Sequence, residues 1–88
     1  MQNIVISPDL WPTSLLPEGL LERWRVPNGM IVDSGEAVAE VRIGEDLHEI
    51  IAPESGVLTI DLPGNSVVEP GTVIGTVRAM LAARHRPV

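Results

Sequence analysis

The sequence predicts a small all-β domain: a flattened sandwich or barrel made of two similar halves. Three observations carry that expectation. Turn signals are dense, at Pro27-Asn28-Gly29, Asp33-Ser34-Gly35, Ile43-Gly44-Glu45-Asp46, Pro53-Glu54-Ser55-Gly56, Pro63-Gly64-Asn65 and Glu69-Pro70-Gly71. The runs between them are three to six residues long and rich in Val and Ile, as short strands require. The third observation is an internal repeat.

Residues 24–42, WRVPNGMIVDSGEAVAEVR, align without a gap on residues 60–78, IDLPGNSVVEPGTVIGTVR, at an offset of 36. Five of the nineteen positions are identical: Pro27/Pro63, Val32/Val68, Gly35/Gly71, Val41/Val77 and Arg42/Arg78. Chance in a chain of ordinary composition gives about one. The turn glycines match because both copies need the same backbone path. Two repeats are too few for a solenoid, so they should close on each other about a quasi-twofold axis.

Alternation assigns faces. Val38, Glu40 and Arg42 should point one way along their strand, and Ala39, Val41 and Ile43 the other. In the second copy Val73, Gly75 and Val77 alternate with Ile74, Thr76 and Arg78. One face packs and the other is wet or half wet. Trp24, within a strand run, is expected to cover one end of the aliphatic layer. Only Arg78 to His85 has helical composition, and it is read as a loose tail. The expected organisation is one domain over residues 1–78 and a C-terminal tail over residues 79–88.

Eighty-eight residues hold one core. So short a chain buries only a little over half of its unfolded surface, and its stability margin should be modest. Phe and Tyr are absent and Trp occurs only at positions 11 and 24, which suits thin layers packed by aliphatics. The absence of Cys excludes disulfides, a thiolate nucleophile and thiolate metal ligands. Met1 to Leu10 lacks the basic start and apolar run of a signal peptide. No stretch approaches the roughly 20 apolar residues of a membrane span, so a cytoplasmic location is expected. Twelve acids against Arg23, Arg25 and Arg42 leave residues 1–77 at −9, while Arg78, Arg84 and Arg86 give the remainder +3, for a net −6. An acidic body repels nucleic acid and anionic membranes. All six basic residues are Arg; the sequence contains no Lys.

No catalytic constellation emerges. Glu45 and Asp46 as an acid–base pair would need burial or forced proximity, and a hairpin tip is exposed. A solvated turn, or an acidic interaction knob, suits them better. His48 and His85 are too few for a metal site, and His48 and Glu49 point to opposite faces of a strand. Ser55 lacks a nucleophile elbow and a His/Asp set. The glycines lie one per turn and form no phosphate-cradling loop. Arg84 and Arg86 are read as solubilising.

The order of motifs resembles the biotinyl/lipoyl carrier domain, most closely the lipoyl domain of 2-oxo acid dehydrogenase acyltransferases. The resemblance covers residues 4–77. ISPDL, Ile6 to Leu10, resembles the family's first strand, and PEGLLERWRV, Pro17 to Val26, its second. VDSGEAVAEV, Val32 to Val41, resembles the approach to the carrier hairpin. IIAPESGVL, Ile50 to Leu58, resembles the return strand, and VVEPGTVIGTV, Val67 to Val77, the last. The resemblance implies a barrel-sandwich hybrid of two four-stranded antiparallel sheets with quasi-twofold symmetry.

Two departures bear on function. Where the family has Asp-Lys-Ala at the hairpin tip, this chain has Gly44-Glu45-Asp46, so Glu45 takes the carrier position. The Met-Lys-Met of biotinyl domains is absent too. Lipoate and biotin are attached by acylating a Lys ε-amine, which a carboxylate cannot replace, so neither cofactor is expected. The second departure is WPTSLLP, Trp11 to Pro17, which is longer and more apolar than the family's loop between its first two strands. In the family that loop sits beside the hairpin and helps partner enzymes recognise the domain. Trp11, Leu15 and Leu16 are therefore candidate partner contacts, together with Glu45 and Asp46. The competing expectation is that Leu15 or Leu16 caps one end of the sandwich. The resulting expectation is a binding, assembly or regulatory module for a dehydrogenase or carboxylase complex. A carrier-like relative of such complexes, or a small-ligand or adaptor β-domain, is the alternative; tightly packed Val and Ile leave little room for a ligand pocket.

Overall fold

The computed structural model describes residues 1–13 and 15–80; Arg84, His85 and Arg86 lie outside the described residues. Eight strands follow one another: β1 (Gln2–Val5), β2 (Gly19–Trp24), β3 (Ile31–Val32), β4 (Ala37–Ile43), β5 (Asp46–Ile51), β6 (Gly56–Ile60), β7 (Ser66–Val68) and β8 (Val73–Arg78). They form two four-stranded sheets, ordered β1-β8-β6-β3 and β5-β4-β2-β7. All pairings are antiparallel. The inner faces meet in an aliphatic core that includes Ile4, Ile6, Leu21, Val41, Leu58, Ile74 and Val77. Among the described residues no polar or charged residue is fully buried there. The chain is thus the all-β sandwich the sequence predicts.

Exchanging β1 with β5, β8 with β4, β6 with β2 and β3 with β7 turns one sheet order into the other. The repeat is the cause, and its turns match atom for atom. Gly35 N donates to Ala52 O at 2.9 Å, and Gly71 N donates to Ile6 O at 2.8 Å. Asp33 N donates to Glu36 Oε1, and Glu69 N to Thr72 Oγ1, both at 2.9 Å. A carboxylate in one copy and a hydroxyl in the other therefore close the same turn. The symmetry continues upstream of Trp24, where the gapless alignment ends. Pairing between β2 and β4 slips at Glu22, between Leu21 and Arg23. Beyond that bulge the offset becomes 37, and Gly19 corresponds to Gly56. Both glycines lie under a β-strand carbonyl, that of Arg42 for Gly19 and that of Arg78 for Gly56.

Simple alternation fails at two related positions. Val38 and Ile74 are fully buried, although alternation places them with Glu40 and Arg42 and with Thr76 and Arg78. Each lies where the pairing slips, between Ala37 and Ala39 against β5 and opposite the slip from Ile4 to Val5 of β1. An inserted residue breaks the period of two and turns consecutive side chains inward. Val38 and Ile74 are 36 apart, so the bulge is itself repeated. Ile74→Ala should lower unfolding free energy by about 2–5 kcal/mol, and Val73→Ala by less than about 1. Urea denaturation followed by circular dichroism would measure both; a larger loss at Val73 would restore simple alternation.

The start of the chain also differs from expectation. ISPDL is not a strand. β1 ends at Val5, and Pro8–Leu10 form a 3₁₀ turn whose Ser7 hydroxyl accepts from Asp9 N at 3.2 Å. Pro8 brings no N–H to a ladder and its fixed φ suits the first turn of a helix, so the strand stops before it.

Candidate functional site

The β4–β5 hairpin is the tightest in the molecule. Ile43 pairs with Asp46, which leaves Gly44 and Glu45 as the loop. Gly44 has φ +64 and Glu45 does not share the positive sign, the pattern of a II′ turn with Gly at its first central position. A Cβ on Gly44 would also stand 3.2 Å from Leu16 Cδ1. Conformation and space thus both select glycine, and the second selects it through the neighbouring loop. Glu45 and Asp46 are exposed. Arg42, half-buried on β4, donates through Nε to Glu22 Oε2 at 2.7 Å and through Nη1 to Glu45 O at 3.5 Å. It holds the hairpin from the side.

The loop from Trp11 to Pro17 folds towards the same end of the sandwich. Trp11 and Leu16 are half-buried against the core, and the Trp11 ring comes within 3.4 Å of where a Gly19 Cβ would be. Leu16 N donates to Thr13 O at 3.3 Å, and Leu15 N to Thr13 Oγ1 at 3.2 Å. This turn aims the two leucines apart: Leu16 lies over the core and the hairpin, while Leu15 is 84% exposed. The two readings of this loop therefore divide between neighbouring residues. Four of the five candidates, Trp11, Leu16, Glu45 and Asp46, gather at one end, and Leu15 projects from it.

Sequence reasoning missed the prolines here. Pro8, Pro12, Pro17 and Pro70, four of the chain's eight, line an open groove of about 510 Å³ with Trp11 and Leu16. The density of Pro between residues 8 and 17 was a usable signal; the arrival of Pro70 was not. The Trp11 indole N–H is buried and, among the described residues, has no hydrogen-bond partner. Trp24, by contrast, donates from Nε1 to Leu62 O at 2.8 Å and packs beside Gly75, as a sandwich-end residue should.

Several of the remaining polar residues have structural partners. On the outer face of the β5-β4-β2 strands, Arg23 meets Glu40 at 3.0 Å, and Arg25 meets Glu49 at 2.8 Å and Glu40 at 3.6 Å. With Arg42–Glu22, these contacts engage all three arginines of residues 1–77. Asp9, Glu18, Glu45, Asp46 and Glu69 have no ion pair among the described residues. Ser55 Oγ accepts from Ser34 N at 2.9 Å, which makes it a turn tie. His48 is half-buried on β5 opposite Val41. Among the described residues no three His, Asp or Glu side chains come together in a metal-binding cluster, and no helix is long and apolar enough to cross a membrane.

Comparison with known proteins places this architecture. No family model matches the chain. A solved structure, the lipoyl domain of the 2-oxoglutarate dehydrogenase complex from Azotobacter vinelandii, superposes with a TM-score of 0.66. The match covers 85% of this chain and 95% of that one at 22% identity. A curated relative, acetyl-CoA carboxylase dmxL1 of Cryptosporiopsis sp. (strain 8999), is 35% identical over 57 residues, or 65% of this chain. The chain spans about 2% of that relative's length. The hairpin tip presents the carboxylate of Glu45, and the sequence contains no Lys side-chain amine. With its two four-stranded sheets, its repeat and its projecting hairpin, the chain has the lipoyl/biotinyl-domain fold, and an acidic tip.

Proposed function

We propose that this domain acts unmodified, as a protein-binding, assembly or regulatory module related to the lipoyl and biotinyl domains of dehydrogenase and carboxylase complexes. One observation carries the reading. The hairpin that the resemblance assigns to the carrier residue is intact and exposed, yet it presents Glu45, and the sequence offers no Lys in its place. A tip that cannot be acylated by lipoate or biotin is still a shaped, rigid surface. Leu16 lies close enough to the Gly44 turn that a Cβ there would stand 3.2 Å from its Cδ1, which sets loop and hairpin side by side. Rigid apolar residues beside fixed charge suit protein recognition, with the apolar part supplying affinity and the charge supplying selectivity. The domain catalyses nothing in this reading.

The test is capture from host lysate by the tagged domain, with bound proteins identified by mass spectrometry. Subunits of a dehydrogenase or carboxylase complex should be enriched at least about tenfold over a Leu15→Ser/Glu45→Gln/Asp46→Asn variant. Those three side chains are exposed, so the variant should keep its fold. Equal capture by both forms, or none by the wild type, would remove the basis for a docking role at this end.

A further inference from the structure

From the groove beside the hairpin we infer a binding site for an extended peptide with an apolar, proline-compatible centre and basic flanks. The inference rests on the docking role proposed above and names the chemistry of its partner. The groove walls are four prolines (Pro8, Pro12, Pro17 and Pro70) with Trp11 and Leu16; Thr13 is the one polar residue lining it, and none is charged. Proline walls hold their shape without losing rotamer freedom on binding, which lowers the cost of association. An aromatic ring set among rigid apolar walls suits an extended chain, as in the grooves that accept polyproline-type segments.

The rim selects charge. Asp9 adjoins Pro8 in the chain, Glu18 adjoins Pro17 and Glu69 adjoins Pro70. All three are exposed and have no ion pair among the described residues. Glu45 and Asp46 extend the acidic rim past Leu16, which lies beside the hairpin turn. Arg42, the nearest basic residue along the hairpin, is already engaged by Glu22 and by the Glu45 carbonyl. Positive residues on either side of an apolar segment would therefore meet uncompensated carboxylates, and acidic flanks would be repelled.

A hydrogen-bond donor is also in place. Among the described residues the buried Trp11 indole N–H has no hydrogen-bond partner, which leaves a donor unsatisfied. The N–H is buried, so a peptide carbonyl would reach it only if the half-buried ring moved on binding. Trp24 offers no such opening, because its N–H is already bonded to Leu62 O.

The two tryptophans make the test direct. The full chain, labelled with ¹⁵N, gives two indole N–H resonances, assigned with a Trp24→Phe variant. Two capped peptides with the same Pro-Leu-Pro centre are titrated in, one flanked by Lys and one by Glu. The Lys-flanked peptide should shift the Trp11 indole signal and leave that of Trp24 in place. It should bind at least about tenfold more tightly than the Glu-flanked peptide at low salt, with the gap narrowing as salt screens the rim. Glu18→Gln/Glu69→Gln, confined to exposed positions, should close most of that gap without changing the fold. Equal binding of both peptides, or movement of the Trp24 signal instead, overturns the proposal. A chain ending at Met80 that binds the peptide more tightly would assign the groove to the chain's own Arg84–Arg86 segment and overturn a separate partner. Capture of complex subunits without any peptide binding would sink the groove chemistry alone; loss of both would sink the docking role too.

Discussion

Glu45→Lys is expected to make the domain an acceptor for lipoylation. Incubated with a lipoate–protein ligase, lipoate and ATP, the wild type should keep its mass. The variant should gain one lipoyl group, seen by intact mass spectrometry and located at residue 45 by peptide mapping. The change supplies the ε-amine that acylation needs at a position the hairpin already exposes. It should shift stability by no more than about 0.5 kcal/mol, because residue 45 is exposed and makes no side-chain bond. The experiment separates chemistry from shape. Modification of the wild type would overturn the proposed unmodified role. If neither form is modified, the tip's backbone or the Leu16 contact departs from what the ligase reads, and placing Glu45 at the carrier position would fail. A parallel reaction with biotin and a biotin ligase shows which branch of the fold the hairpin's shape follows.

The largest effect on stability is expected at a glycine far from that tip. A Cβ on Gly56 would collide with the Arg78 carbonyl oxygen, and would stand 2.6 Å from Arg78 C and 3.0 Å from Ala79 Cα. All three neighbours are backbone, so no rotamer change relieves the clash. Arg78 is the end of the β6–β8 ladder, where it pairs with Val57, and Ala79 follows it. Opening that ladder would also uncover Leu58 and Val77, both fully buried. Gly56→Ala should therefore cost about 3 kcal/mol or more, a large share of the roughly 5–15 kcal/mol of an ordinary domain. Gly71→Ala is the control. Its φ is +89 but a Cβ there meets nothing within 4 Å, so it should cost only about 1 kcal/mol. Urea unfolding of the two variants and of wild type decides the matter. Comparable losses at both glycines would mean that the strand approach at Gly56 is looser than described.

These two substitutions mark what could and could not be read in advance. The fold class was legible because its causes are local and repeated. Turn residues at short spacing and β-branched runs define strands, and a gapless 36-residue repeat requires two related halves. The tip was legible for the same reason, since a short turn between two strands must project from them, and the missing Lys is a property of composition. The family resemblance points to a strand over Ile6 to Leu10, whereas β1 ends at Val5 and Pro8, with no N–H to give a ladder, opens a 3₁₀ turn.

Only the tertiary structure decided the rest. Val38 and Ile74 face inward because pairing slips opposite them, and a slip depends on the partner strand, which no single run of sequence contains. Gly56 is indispensable because of Arg78, twenty-two residues away in the chain. Trp11, Leu15 and Leu16 are equally apolar candidates on paper. Whether a loop leucine caps a core or meets a partner is set by the direction of one turn, here the one closed by Thr13. The groove needs Pro70 beside Pro8 and Pro17, a meeting made by the closure of β7 and β8 on the rest of the sandwich. Sequence by itself determined most of the strands, the two-half symmetry and which residues stand at the tip. Long-range pairing determined which side chains are buried and which stand together, because burial and proximity depend on pairs of segments.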